Sequence, residues 1–442
     1  MNSDESWPGF DEAWSRVRRM QTKLYLWATR DAGRVFDDLH NLVCDPAFLV
    51  HAWERVHGNT GGRTAGVDGV IPRSIPKEST VLLSGLRNEL RARTFRPDRV
   101  REKLIPKPGY PLKKRRLGIP TASDRVVQAS LKLVLEPIFE AGFQPFSYGF
   151  RPRRRAQDAI AEIHKFGTHG YHWVLEADIE ACFDRIDHTA LLERVRHRIG
   201  DKRVLALVKA FLKAGVLTED GHDRDTHTGT PQGGILSPLL ANIALSALDD
   251  HYQHKWDAAG GGGTDSAIRS RRKYLRRKGG ATYRLVRYAD DFVILVNGSQ
   301  HHAEQARVEV AEVLRPMGLT LSPEKTRVTH IDSGFDFLGW RIQRRAKRGT
   351  NRTKKAIYTY PSKKSLTSII RKIRYITRRS GSPFVSLERM LKHLNLVVRG
   401  WCVYFRHGVS KATFGYLGHY MWWAVTRWIN NRHPRLGWRQ LR

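Results

Sequence analysis

The stretch Tyr283-Arg-Leu-Val-Arg-Tyr-Ala-Asp-Asp-Phe-Val-Ile-Leu-Val-Asn297 decides the fold of this chain. Two apolar runs rich in β-favouring residues, Leu285–Tyr288 and Phe292–Val296, flank the adjacent carboxylates Asp290 and Asp291. Such runs are typical of the strands of a hairpin with the acidic pair at its turn. Because adjacent carboxylates repel each other, the pair indicates either a cation site or an exposed turn that uses Asp for local hydrogen bonds. The stretch alone leaves both interpretations open.

The composition points to a polyanionic partner. The 442 residues, 40% of them hydrophobic, allow two or three domains with real cores, and the net charge is +34. The last 102 residues hold 25 Lys and Arg against one acidic residue, Glu388. Such an excess usually marks a nucleic-acid-binding protein.

Three features of the sequence bear on where the protein works. The three cysteines are far apart and lack metal-ligand spacing, which fits a reducing cytoplasm. The N-terminus has neither signal-peptide nor transit-peptide character, and no apolar run has transmembrane length. We therefore expect no membrane partner and a cytoplasmic location.

The first third of the chain reads as helices followed by a basic hairpin. Residues 11–57, 79–94 and 124–141 show helical periodicity, and the first of these segments carries a basic amphipathic face. Gly58–Gly69 is a Gly-rich loop without the Gly-Lys-Ser/Thr of a phosphate-binding P-loop. Val100–Pro106 and Leu117–Pro120 read as strands around Lys107–Arg116, a turn whose cations suit either solvent or a triphosphate.

The middle of the chain supplies a third acid and a glycine-rich loop. Trp173–Ile179 is predicted to be a strand that ends at the acid Asp178, and Asp187 is predicted to cap the helix that follows. In Gly229–Leu240 a glycine-rich loop runs into a helix for which we expect Ser237 as the N-cap. The Gly-rich, basic residues 258–280 are expected to form a flexible loop.

The remainder is expected to be a helix over 302–317, an aromatic strand pair over Phe335–Ile342, and then a helical bundle with a basic exterior. Upstream, Phe146–Arg155 interleaves aromatic residues with arginines, which favours contact with nucleic-acid backbone and bases over a plain solvated face.

Asp178, Asp290 and Asp291 could together form a metal site. Phosphoryl transfer to a nucleic-acid 3′ end uses two divalent ions roughly 3.5–4 Å apart, and carboxylate oxygens suit Mg²⁺. A strand end and a neighbouring hairpin turn can bring such residues together. Asp184, which follows the strand, is interpreted as structural.

The motifs that carry the chemistry resemble those of the reverse transcriptases encoded by group II introns. The resemblance rests first on Ala177–His188, Thr230–Asn242 and Arg287–Phe292. It extends through Asn59–Gly69, Leu104–Gly109, Arg115–Thr121, Ser147–Pro152, Leu321–Thr326, Phe337–Trp340 and Arg399–Phe405. The last of these is similar to the maturase domain, also called the thumb or X domain.

The resemblance implies a role for each candidate residue. Asp178, Asp290 and Asp291 are the implied catalytic residues and ligands of two Mg²⁺ ions, with Mn²⁺ as a substitute, and Asp290 is favoured over Asp291 as a direct ligand. Phe183 would exclude a ribose 2′-hydroxyl. The implied nucleotide-binding residues are Lys107, Arg115, Arg116, Phe183, Gln232, Gly233 and Lys325. Arg116 replaces the family's common Pro, which leaves the choice between Arg115 and Arg116 open. The implied nucleic-acid-binding residues are Arg151, Arg153, Phe337, Gly339, Trp340, Arg371, Arg374, Arg378 and Arg399.

The expected fold is an α+β right-hand polymerase with fingers, palm and a helical C-terminal thumb. The expected domains are an N-terminal extension at 1–85, reverse transcriptase fingers and palm at 86–345, and a thumb/maturase domain at 346–442. The implied function is RNA-directed DNA synthesis joined to assistance of intron splicing and retrohoming. Its implied partners are group II intron RNA, an RNA template with a DNA primer, dNTPs and target DNA, while monomer and dimer both stay open.

Two rivals stay under consideration: a splicing cofactor with an idle polymerase site, and a reverse transcriptase of another retroelement or of a phage-defence system. The intact acids, Gln232 and Phe183 argue against the first rival. The complete fingers motifs and the maturase-like C-terminal segment argue against the second. Many relatives carry a Cys-rich HNH endonuclease after the thumb, but no such Cys or His cluster follows here. Either the protein belongs to a bacterial lineage that lacks the endonuclease or the sequence is truncated, and cleavage of the second target strand is expected to be absent.

Overall fold

The computed structural model describes residues 7–107, 110–347, 354–378, 384 and 386–432. Its helices are α1 (Phe10–Arg30), α2 (His40–Val43), α3 (Pro46–Gly58), α4 (Thr80–Ala92), α5 (Ala122–Glu140), α6 (Ala156–Thr168), α7 (Cys182–Arg185), α8 (His188–Arg196), α9 (Lys202–Leu212), α10 (Ser237–Gly260), α11 (Asp265–Arg277), α12 (Gln300–Leu314), α13 (Lys363–Ile376), α14 (Leu387–Phe405) and α15 (Lys411–Arg432). Short 3₁₀ helices cover Thr60–Arg63, Pro72–Ser74 and Arg315–Met317. Its strands are β1 (Val100–Lys107), β2 (Tyr110–Ile119), β3 (Trp173–Asp178), β4 (Val216–Leu217), β5 (Asp223–Arg224), β6 (Thr282–Tyr288), β7 (Asp291–Asn297), β8 (Arg327–His330), β9 (Phe335–Phe337), β10 (Trp340–Ala346) and β11 (Lys355–Pro361).

The central sheet positions the acidic residues. Its strand order is β6-β7-β3-β8, and every neighbouring pair in it is antiparallel. The side chains of Phe292–Val296 on β7 are buried, since α6, α10 and α12 pack against the strands of this sheet. A strand buried on both faces reads as a continuous apolar run, which is what the sequence shows. The hairpin predicted around Asp290 and Asp291 is confirmed.

A second sheet carries the basic hairpin. Strands β1 and β2 pair antiparallel from Arg101 opposite Ile119 to Lys107 opposite Tyr110, and the sheet order is β2-β1-β4-β5. The predicted cation-loaded turn is therefore shorter than expected, because most of Lys107–Arg116 is strand.

The C-terminal helices form a bundle beside a small sheet. The predicted helical bundle is confirmed: Ile369, Ile373 and Ile376 of α13 pack with Met390 of α14 and Leu417 of α15. Strand β11 was not expected, and it pairs with β10 in a sheet of order β11-β10-β9. This hairpin crosses the domain boundary expected at residue 346, which stays a prediction.

Two local predictions were wrong. Residues 258–280 are mostly helical, because α10 continues to Gly260 and α11 covers Asp265–Arg277, with the side chain of Thr264 accepting a hydrogen bond from the Ala267 N–H. Ser237 is the first residue of α10 and not its cap; its hydroxyl bonds the Pro231 carbonyl instead. The cap at Asp187 is confirmed by its bond from the Ala190 N–H. No helix among the described residues is long and apolar enough to cross a bilayer.

Candidate active site

The acidic hairpin is closed by a tight turn at Ala289 and Asp290. Tyr288 at the end of β6 pairs with Asp291 at the start of β7, so two residues make the connection. Ala289 has a φ of 58°, in the left-handed region that a residue with a Cβ adopts at a cost of roughly 1 kcal/mol. The turn thus holds a strained residue directly before Asp290, and such strain often accompanies a functional site.

The structure brings the three predicted carboxylates together. Asp178, the last residue of β3, lies directly opposite Asp291 in the β3–β7 register. Asp290 is close enough to Asp178 for the charge of Asp178 to raise its pKa. Asp178 is more than a hundred residues from Asp290 and Asp291 in the sequence, and the pairing of β3 with β7 brings them together.

The pKa values of the hairpin acids are raised. For Asp290 the first cause is burial of the carboxyl, and the charge of Asp178 adds to it. The pKa of Asp291 is raised to about 6, because the surrounding protein displaces water and because Asp290 and Asp178 are near. Part of the Asp291 side chain still faces solvent. These three acids therefore repel one another in a partly dehydrated recess, an arrangement that a cation would stabilise.

Lys325 already supplies one positive charge to this recess. Its ammonium group donates a hydrogen bond to Asp178 Oδ2, and that bond raises the pKa of Lys325. The predicted residue Lys325 is thus beside the acids. Its side chain is largely exposed, so an incoming ligand could displace it.

A cavity of about 460 Å³ opens over the acids. Asp178, Asp291, Lys325 and Phe337 line it, whereas Asp290 lies outside its lining. It is also lined by residues that the sequence interpretation missed, namely Glu176, Glu324, Arg327, Asp336 and Lys364. Of these, Arg327 is bound through two hydrogen bonds to Glu176.

The donor set fits a hard divalent cation. In the described part of the chain, no three Asp, Glu, His or Cys side chains form a preassembled metal site. The acids are nevertheless carboxylates at adjoining strand ends, two of them with raised pKa values, and Asp178 already binds a cationic group. Oxygen donors of this kind suit Mg²⁺.

Of the two hairpin arginines, Arg115 is the one within electrostatic range of the acids. Its charge lowers the pKa of Asp290. Successive strand residues point to opposite faces, and Arg116 lies 3.8 Å from Glu102 Oε1. The side chain of Lys107 is outside the described residues, so only its place at the end of β1 is defined.

The glycine-rich loop packs on the end of the basic hairpin. The Gln232 carbonyl accepts a hydrogen bond from the Gly118 N–H at 2.7 Å. Gly233 has a φ of 118°, and a Cβ there would lie 2.7 Å from the Gly118 carbonyl oxygen. Only glycine fits this position, because the backbone of the loop lies directly against the basic hairpin.

Phe183 follows a left-handed residue, Ala181, and stands half-buried near the strand end of Asp178. Its ring meets the edge of Phe150 at a centroid distance of 6.3 Å. Phe150 is 50% exposed and has a φ of 58°. The sequence interpretation missed Phe150, although it belongs to the aromatic and arginine-rich run.

Two of the residues predicted to contact nucleic acid, Arg151 and Trp340, are buried inside the protein. Arg151 is buried, and its guanidinium is occupied by the Glu140 carboxylate and by the carbonyls of Gln144 and Ser147. It stabilises its own loop, so its prediction as a nucleic-acid contact is corrected. Trp340 is likewise buried, against Tyr404 and Phe405, and cannot contact a primer directly.

The other predicted contacts face the cavity or solvent. Phe337 lines the cavity, and the Gly339 carbonyl accepts hydrogen bonds from Ser362 and Ser365, which ties the β9–β10 turn to α13. Arg153 is exposed. The thumb arginines Arg371, Arg374, Arg378 and Arg399 are exposed, Arg374 while bonding the Tyr420 hydroxyl and Arg378 while lying over the Tyr375 ring.

The site consists of an acidic strand end that faces an acidic hairpin, and the chain also contains a basic hairpin and a C-terminal helical bundle. This combination defines a nucleic-acid polymerase of the right-hand type. Residues 105–342 match the family described as reverse transcriptase (RNA-dependent DNA polymerase), and residues 366–442 match the maturase-specific domain of group II introns. The chain belongs to the reverse transcriptase family, in the branch that carries a group II intron maturase domain. Reverse transcriptases of this family depend on divalent metal ions.

Several curated proteins are similar to this chain. Protein YkfC of Escherichia coli (strain K12) is 34% identical over 81% of this chain and 97% of its own length. The group II intron-encoded protein LtrA of Lactococcus lactis subsp. cremoris is 32% identical over 70% of this chain, and the match spans 57% of LtrA. A 91 kDa protein in the cob intron of Schizosaccharomyces pombe is 32% identical over 64% of this chain and 38% of its own length.

Proposed function

We propose that this protein is an RNA-directed DNA polymerase that copies group II intron RNA into cDNA by nucleotidyl transfer. The observation that carries the proposal is the pairing of Asp178 with Asp291 beside Asp290 at the edge of an open cavity. Asp178, Asp290 and Asp291 would hold two Mg²⁺ ions, for which Mn²⁺ could substitute. Bound there, the ions would activate the primer 3′-hydroxyl and stabilise the charge of the leaving pyrophosphate.

The neighbouring residues would orient the incoming nucleotide. Arg115 lies within electrostatic range of Asp290, which supports a role at the triphosphate with Lys107. Phe183 would lie under the sugar and reject a 2′-hydroxyl by its bulk. Gln232 and the backbone at Gly233 would line the pocket, since the glycine leaves that backbone uncovered. Lys325 would exchange its bond to Asp178 for contact with the primer or nucleotide.

A second role, assistance of intron splicing and retrohoming, is supported by the maturase-domain match and by the exposed thumb arginines. Intron RNA, an RNA template with a DNA primer, and target DNA are the proposed partners. Arg153, Arg371, Arg374, Arg378 and Arg399 are the proposed contacts, with Phe337 and Gly339 placing the primer end. A cytoplasmic location stays a prediction.

The decisive experiment is primer extension on poly(rA)/oligo(dT) with Mg²⁺ by the wild type and by Asp290→Ala. We expect extension by the wild type to stop without Mg²⁺, and extension by Asp290→Ala to fall to background while RNA affinity stays within about twofold, because RNA binding rests on other surfaces. Asp220→Ala, which removes an exposed loop carboxylate, is the matched control.

Two outcomes would contradict the proposal. Extension by Asp290→Ala clearly above background would remove the metal-ligand assignment. An inactive wild type that still binds intron RNA tightly would favour a splicing cofactor with an idle polymerase site.

A further inference from the structure

Beneath the acidic turn lies a buried ion pair in the core of the palm. Arg287 lies on β6, two residues before Ala289 of the turn. Its side chain is fully buried, and so is that of its partner Asp249 on α10. A strand residue packed between a sheet and a helix is ordinarily apolar. Replacing a buried ion pair with apolar residues of similar volume is often neutral or stabilising, so stability alone does not account for these charges.

The guanidinium of Arg287 uses all of its donors. Nε and Nη2 bond the two carboxylate oxygens of Asp249, and Nη2 also bonds the Ser147 hydroxyl at 2.7 Å. Nη1 donates to Asn242 Oδ1 at 2.9 Å and to the Ala289 carbonyl at 3.0 Å. The last bond reaches the strained residue directly before Asp290.

The cluster of Arg287, Asp249 and Asn242 also contacts the loop that packs against the other side of the turn. Asn242 Nδ2 donates to the Gly149 carbonyl at 2.8 Å, and Gly149 lies against the turn so closely that a Cβ on it would lie 2.2 Å from the Ala289 nitrogen. The Tyr148 N–H also donates to the Arg287 carbonyl at 2.8 Å. The Ala289 carbonyl is therefore bound by Arg287, and the Ala289 nitrogen lies against Gly149, which Asn242 links to the same cluster.

We propose that Arg287, held by Asp249 and Asn242, is a positioning residue that fixes the left-handed Ala289 and thereby the direction of the Asp290 carboxylate. An apolar side chain could fill the same space, but it could not donate to the Ala289 carbonyl. Catalytic groups lose efficiency when they are displaced by as little as 1 Å, so this bond affects the chemical step rather than nucleotide binding. The inference rests on the proposed polymerase function.

The test replaces both charges with apolar residues, as Arg287→Leu with Asp249→Leu, so that no unpaired charge stays buried. We expect a melting temperature within a few degrees of the wild type, kcat lower by about 100-fold, and KM for dNTP within about threefold. Affinity for Tb³⁺, read by luminescence without any nucleotide, should weaken by about tenfold or more. Arg194→Leu with Asp250→Leu removes a neighbouring ion pair that links α8 to α10 and does not touch the turn, so this double variant should retain kcat.

A stable double variant with kcat and Tb³⁺ affinity within threefold of the wild type would overturn the proposal. If the double variant does not fold, Arg287→Lys replaces it. The lysine retains the positive charge beside Asp249 but lacks the planar fork that serves Asp249, Asn242 and Ala289 together. A folded Arg287→Lys at full rate would equally overturn it, whereas a folded variant slower by tenfold or more would support it. A wild type that extends no primer refutes the polymerase proposal instead, and Tb³⁺ affinity still tests the positioning.

Discussion

Gly149→Ala offers the sharpest steric test of the catalytic turn. A Cβ built on Gly149 would lie 2.2 Å from the Ala289 nitrogen and 2.7 Å from the Tyr288 carbonyl carbon. Favourable non-bonded contacts begin at about 3.5 Å, so one of the two backbone segments must move by about 1 Å. Gly149 itself has no left-handed φ, so the added methyl acts through this contact and not through backbone strain.

The consequence should be larger for catalysis than for folding. Overpacking of this kind costs about 1–3 kcal/mol of stability, which a domain of this size can tolerate. A 1 Å displacement of the turn that carries Asp290 should reduce the rate of nucleotide incorporation by about 100-fold. Single-nucleotide incorporation on an RNA template measures the rate, and thermal unfolding measures the stability.

Gly85→Ala is the matched control, since nothing lies within 4 Å of a Cβ at that helical position. It should leave the rate unchanged and stabilise α4 by about 0.5–1 kcal/mol. If Gly149→Ala loses stability but incorporates nucleotides at a rate within threefold of the wild type, the Gly149 loop has yielded instead of the turn. The idea that the two segments fix each other would then be refuted.

Three further predictions concern sugar selection, RNA binding and pH. Phe183→Ala should admit ribonucleotides, and an unchanged ratio of dNTP to NTP incorporation would contradict a steric role for its ring. RNA affinity should fall about tenfold per tenfold rise in salt for each phosphate contact, and Arg371→Gln or Arg399→Gln should each lower that slope by about one; equal slopes would exclude these contacts. Burial lowers the pKa of His51 to about 4, so the unfolded chain binds the proton more readily and stability should fall by about 3 kcal/mol from pH 6.5 to pH 4. His51→Phe retains a ring beside Trp14, so its free energy of unfolding, measured by denaturant titration, should fall less than that of the wild type between pH 6.5 and pH 4. An equal fall in the two proteins would contradict the role of His51.

The sequence allowed the palm to be predicted because local patterns there agree with the tertiary fold. The apolar run of β7, the acid at the end of β3 and the cap at Asp187 each have a local cause. The missed helix α11 shows the opposite case. The glycines before it suggested a loop, and this arginine-rich segment has no apolar stripe that would predict a helix. In the structure, Arg272 lies 3.5 Å over the Trp256 ring and donates a hydrogen bond to the Trp256 carbonyl, which anchors the helix to α10.

The errors at Arg151 and Trp340 have a different cause. Arg151 lies in a run of arginines and aromatic residues that favours nucleic-acid contact, and the role of Trp340 was implied by the family resemblance, but neither signal reveals which side chains point inward. Glu140 and two carbonyls form a site for the Arg151 guanidinium that no local spacing announces. Arg287 did carry a visible signal, since a charged residue inside a buried apolar strand requires a buried partner. Its partner Asp249 lies in a largely apolar stretch of α10.

The adjacent acids of the turn are equivalent in sequence but not in structure. Asp290 belongs to the turn, so its direction depends on the left-handed Ala289 before it and on the network that holds that residue. Asp291 begins β7, so its direction is fixed by pairing with Asp178 and Tyr288, and it lines the cavity. The preference for Asp290 as the direct ligand came from the motif, whereas the strand register makes Asp291 the better anchored of the two. The palm thus holds one acid through the sheet and the other through a buried ion pair, which explains why a charged cluster lies where an apolar core would suffice for folding.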